Sequence, residues 1–115
     1  MNELNISCRL SFSKNSVSIE RDATINVTVT GTNYVRLNQS IGTSEEAILG
    51  ITDIGTQGYV FVKNLDSTNY VQIGQTNKLA VKMKAGEIAC FRTSGALYAQ
   101  ANTSACEIEA LIIED

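Results

Sequence analysis

The sequence predicts an all-β fold: an antiparallel β-sandwich built as a single domain over residues 1–115. Three observations carry this. Val, Ile and Thr, the β-branched residues that favour strands, number 8, 12 and 11, over a quarter of the 115 residues. Apolar and polar residues alternate with period two in one segment after another. The segments are short and recur at intervals of roughly 8–12 residues, a spacing typical of sandwiches and barrels. Ten or eleven strands would be unusual in one open sheet, so the chain has to form two layers or close on itself.

The elements follow in order. Leu4, Ile6, Cys8, Leu10 and Phe12 alternate with Asn5, Ser7, Arg9 and Ser11, giving a first strand with one face expected to be buried. Ser13-Lys14-Asn15 breaks the run. Val17 and Ile19 mark a short second strand, Glu20-Arg21-Asp22 reads as a charged turn, and Thr24 to Thr30 reads as a third strand ending at Gly31. Val35 and Leu37 mark the fourth. Gly42 to Glu46 is a loop, and Ala47 to Ile51 is either a fifth strand or, from Glu45 to Leu49, one turn of helix. The remaining strands are Gly58 to Asn64, Tyr70 to Ile73, Lys78 to Met83, Ile88 to Arg92, Leu97 to Ala101 and Cys106 to Ile113. Segment 32–40 resembles segment 68–76. Two copies are too few for a solenoid, and the pair suggests two hairpins in related places, as in paired Greek keys.

Composition narrows the chemistry. The chain has no His, the residue most used for acid–base catalysis and metal ligation, so Ser-His-Asp and Cys-His arrangements are ruled out. Phosphate-cradling loops and dinucleotide fingerprints are absent too, and Asp53 and Asp66 lie in loops with nothing to bring them together. No enzyme, metal or cofactor is therefore expected. A net charge of -3 gives no basic footprint for nucleic acid. The longest apolar run is four residues and the start lacks a signal-peptide pattern, so neither membrane nor export is expected. Four Asn-X-Ser/Thr matches are set aside on the same ground. Cys8, Cys90 and Cys106, widely spaced in apolar stretches, read as buried thiols in a reducing compartment.

Two surfaces stand out. Gly58 to Val62 and Ala110 to Ile113 are apolar at both parities, whereas a sandwich strand needs only one apolar face. The second face must be covered by a loop, by an N-terminal arm or by another subunit. Tyr59, Phe61, Leu111 and Ile113 are accordingly the candidate oligomer interface. Along Lys78 to Lys84, Leu79, Val81 and Met83 share one parity, and Lys78, Ala80, Lys82 and Lys84 share the other. The lysine row Lys78, Lys82 and Lys84 reads either as contact with an acidic partner or as protection of an edge strand in a chain without proline.

The block Gly58-Tyr59-Val60-Phe61-Val62-Lys63-Asn64-Leu65-Asp66-Ser67-Thr68-Asn69-Tyr70-Val71-Gln72-Ile73-Gly74 carries a resemblance. So do the turn Lys84-Ala85-Gly86-Glu87, the string Leu97 to Ala101 and the ending Glu109 to Asp115. Together they resemble small β-sandwich proteins encoded beside the structural genes of tailed bacteriophages. The match covers roughly 58–115 and is loose before it. Where that family tends to carry Pro before the turn glycine, this chain has Ala85. The resemblance implies a jelly roll and a non-enzymatic capsid cement or decoration protein that stabilises the phage head. The implied partners are the major capsid protein, met through Lys78, Lys82 and Lys84, and the chain itself, as a trimer or failing that a dimer. The implied location is the capsid surface of the virion, after synthesis in the bacterial cytoplasm. The alternative is a receptor- or carbohydrate-binding head or adaptor of a phage fibre or tail.

Overall fold

The computed structural model describes residues 2–48 and 54–115, and the chain divides into two units, Met1–Thr30 and Gly31–Asp115. Every element among the described residues is a strand.

The first unit is a two-stranded ribbon of β1 (Leu4–Lys14) and β2 (Val17–Val27). They pair antiparallel without a slip, from Leu4 opposite Val27 to Lys14 opposite Val17. Asn15 and Ser16 make the turn with φ of 51° and 67°, the pair of positive values that a two-residue hairpin of the primed type requires. The charged triplet Glu20-Arg21-Asp22 is thus not a turn but the middle of β2. The reason lies across the ribbon, where Arg9 meets Glu20 at 2.9 Å and gives the charge a partner within the strand pair. The expected alternation in β1 is present, but its apolar face is not buried. Leu10 is 70% and Ile19 64% exposed, and Phe12 and Ile25 are exposed as well.

The second unit is an antiparallel β-sandwich. One sheet has the order β3 (Tyr34–Ile41), β10 (Cys106–Glu114), β5 (Gln57–Asn64), β8 (Ile88–Arg92). The other has the order β4 (Glu46–Ala47), β9 (Tyr98–Ala101), β6 (Val71–Gln75), β7 (Lys78–Met83). Strict alternation sends Val60, Val62, Ile108, Ala110 and Ile112 inward from the first sheet, and Val71, Ile73, Met83, Ala99 and Ala101 inward from the second. These close one core, in which each buried Val, Ile or Met stabilises by roughly 1.5–3 kcal/mol. The similar segments 32–40 and 68–76 hold β3 and β6, which lie in different sheets but point Val35 and Leu37, and Val71 and Ile73, toward the same core.

Two polar devices hold the loops. Asn64, fully buried, donates to the carbonyls of Asn69 at 2.9 Å and Met83 at 3.1 Å, and accepts from the Asp66 N–H at 2.9 Å. The bulge between Ile73 and Gln75 needs Gly74, since a Cβ there would stand 2.5 Å from the carbonyl oxygen of Lys78. The fifth predicted strand shrinks to Glu46–Ala47, with Ile48 buried beyond it, and the rest of that segment lies outside the described residues.

Candidate interaction surfaces

The outer face of the first sheet brings together the four residues singled out for self-association. In β5, Tyr59 and Phe61 point away from the core that holds Val60 and Val62, and in β10 Leu111 and Ile113 point away from Ala110 and Ile112. The register aligns Leu111 with Phe61, and Phe61 with Cys90 of β8. On the other side Leu111 stands opposite Arg36, and Ile113 opposite Tyr34, both of β3. The two central strands therefore carry an apolar band, each member half-buried by its neighbours. Tyr34 at 67% and Ile88 at 61% exposure extend the band onto the edge strands.

Ion pairs rim the band. Arg36 meets Glu109 at 2.8 Å, and Arg92 meets Asp115 at 3.1 Å while lying 4.8 Å from the ring centroid of Tyr59. Nothing in the sequence pattern assigns Cys90, Ile88 and Tyr34 to this face. Parity along β8 does place Ile88 and Cys90 together, but only the sheet order shows that β8 adjoins β5.

The lysine row lies on the other sheet. Leu79, Val81 and Met83 turn inward, and Lys78, Lys82 and Lys84 are exposed. Lys82 stands 4.2 Å from the centroid of the Tyr70 ring. β7 is an edge strand of its sheet, the position where outward lysines discourage pairing with another chain. The row and the apolar band thus belong to different sheets.

The cysteines correct the sequence reading. All three are thiols, but Cys8 and Cys90 are exposed and only Cys106 is buried. Cys8 belongs to the uncovered apolar face of the ribbon and Cys90 to the outer face of β8. Cys106 points into the core, its thiol 3.7 Å from the carbonyls of Tyr70 and Ser104, and burial pushes its pKa up.

The loop carboxylates serve the backbone. Asp66 accepts from the N–H groups of Thr68 at 2.9 Å and Asn69 at 2.6 Å, and the Asn69 bond leads in holding its pKa below the ordinary value. Glu45 accepts from Thr76 Oγ1 and from the Asn77 N–H, tying down the turn between β6 and β7. Asp53 lies outside the described residues. Among the described residues no three Cys, Asp or Glu side chains are grouped to hold a metal ion. No family model, curated protein or solved structure matches the chain.

Proposed function

We propose that the chain is a non-enzymatic structural protein of a tailed-phage virion, a capsid cement or decoration protein, and that its sandwich is a jelly roll. The strand pairing supports the second point. β3 pairs with β10, β4 with β9, β5 with β8 and β6 with β7. First with last and second with next-to-last is the pairing of one long ribbon folded over on itself, the winding of a jelly roll.

The observation that carries the function is the apolar band of Tyr59, Phe61, Leu111 and Ile113 on the two central strands. A face of this kind, rimmed by ion pairs, has the anatomy of a protein contact with an apolar centre and a polar rim. In this reading it serves self-association, as a trimer or a dimer, and the assembled copies bridge neighbouring major capsid protein subunits with the lysine row facing the lattice. Many weak contacts then add through avidity.

The test is co-sedimentation with purified heads of the phage that encodes the chain. Wild type should pellet with heads, and binding should weaken with salt and in a Lys82→Glu, Lys84→Glu variant. Leu111→Asp should give soluble, smaller species by light scattering. Absence of binding to heads at any salt concentration would overturn the reading. The fibre-head alternative has one observation in its favour: Tyr70 under Lys82, with Gln72 and Gln100 in register with Lys82 on the same open face. Hits on a glycan array, lost in Tyr70→Ala, would favour it.

A further inference from the structure

The ribbon has two unlike faces. One carries Asn5 bonded to Asn26 at 2.6 Å, Ser7 to Thr24 at 3.2 Å, and Arg9 to Glu20 at 2.9 Å, so its polar groups satisfy one another beside water. The other carries, in register, Leu4 with Val27, Ile6 with Ile25, Cys8 with Ala23, Leu10 with Arg21, Phe12 with Ile19 and Lys14 with Val17. Leu10, Phe12, Val17, Ile19 and Ile25 on this face are 70%, 49%, 58%, 64% and 47% exposed. A two-stranded ribbon left like this is marginal in water, and more strands or a covering layer are what make such a face stable.

We propose that this face pairs with the same face of a second copy of the chain, related by a two-fold axis. The face's two charges are both basic, Lys14 and Arg21, and Arg21 turns back on its own strand to donate to the Asp22 carbonyl at 2.6 Å. Two features point to the chain itself as the occupant. The pattern is self-complementary. A two-fold axis midway along the ribbon sets the small pair Cys8 and Ala23 against the long pair Leu10 and Arg21 of the second copy. It also sets Ile6 and Ile25 against Phe12 and Ile19, large opposite small at the centre and apolar on apolar beyond it. The area suffices. Five side chains this exposed present on the order of 500 Å² per copy, so a pair buries about 1,000 Å², the scale at which a contact becomes specific. Stacked about 10 Å apart, the two ribbons form a small two-layer sandwich of their own.

The test is light scattering on the full chain at tens of micromolar. Wild type should contain an even number of 12.4 kDa chains, and a Leu10→Asp, Ile19→Asp variant should run at half the wild-type mass or less. Ser7→Asp, on the opposite face, should keep the wild-type mass. Wild-type monomers or trimers, or a double variant that keeps the wild-type mass, would overturn the proposal. So would a monomer that floats with phosphatidylcholine vesicles, which would give the face to lipid. Binding to heads is read separately, so a trimer that pellets with heads defeats this pairing and leaves the virion reading standing.

Discussion

Gly31 lies directly against Glu114: a Cβ built on the glycine would stand 2.6 Å from Cγ of Glu114 and 2.8 Å from its backbone oxygen. Because one of those atoms is backbone, the strain of a side chain cannot be relieved by a rotamer change. Gly31→Ala should therefore cost about 1–3 kcal/mol in urea unfolding. Gly95, where an added Cβ meets nothing within 4 Å, is the control, and Gly95→Ala should stay within about 0.5 kcal/mol of wild type.

The same Glu114 is a pH-sensitive clamp. Its carboxylate accepts from the Gly55 N–H at 2.7 Å and from the N–H groups of Thr32 and Asn33 at 2.9 and 3.3 Å. These bonds, Gly55 first, hold its pKa below the ordinary 4.5. A carboxylate depressed in the folded state contributes stability that is fully present above its unfolded pKa and is lost as pH falls through its folded value. Melting temperature should therefore fall as pH is lowered below about 4.5, and Glu114→Gln should be less stable at pH 7 but show a shallower acid limb. An acid limb unchanged in the variant would refute the assignment. In the ribbon, Glu3 is lowered to about 2, chiefly by accepting the Val29 N–H, so that bond is lost only as pH falls toward about 2.

Asn64 serves three backbone groups with one amide, donating to two carbonyls and accepting from one N–H. Asn64→Asp keeps the shape but cannot donate when ionised, and Asn64→Leu serves none of the three. Each should cost about 2 kcal/mol or more, the expense of leaving buried polar groups unpaired. Urea midpoints would check this, with the aspartate variant recovering part of its loss as pH falls and its carboxyl regains a proton.

Thiol chemistry should separate Cys90 from Cys106. In a Cys8→Ser, Leu111→Asp background, where the outer face of the first sheet is left open, Ellman's reagent at pH 8 should reach Cys90 in the folded protein and Cys106 only with unfolding. A native mass spectrum should show no disulfide. Cys106→Ser should cost about 1–3 kcal/mol, since it puts a hydroxyl at a fully buried core position.

Much of this architecture was legible because period two is a local signal. β5 and β10 lie within one residue of where alternation put them, and the inward set Leu79, Val81 and Met83 follows from parity alone. Pattern failed where a strand depends on its neighbour. Glu20-Arg21-Asp22 looks like a turn until Arg9 is placed across from it, and only then does Asn15-Ser16 become the reversal. Parity also says which face is apolar but not whether anything covers it, so the exposure of Leu10 and Ile19 was beyond its reach. The band of Tyr59, Phe61, Leu111 and Ile113 could be read because both parities of its strands are apolar. Cys90, Ile88 and Tyr34 could not be added, because sheet order is set by long-range packing.

The pairing of β3 with β10 has a kinetic consequence. β10 is flanked by β3 on one side and β5 on the other, so the first sheet lacks an inner strand until Cys106–Glu114 has left the ribosome. Closing that pair brings together residues some seventy positions apart, and such non-local contacts slow folding because loop entropy is lost before they form. The hairpin of residues 4–27 needs no such wait. Its turn is local, and hairpins form in about 1–10 μs. Translation therefore releases residues 4–27, which zip fast but hold only marginally alone, well before the sandwich can close, so pairing of ribbons from adjacent nascent chains on a polysome would stabilise them before either sandwich exists.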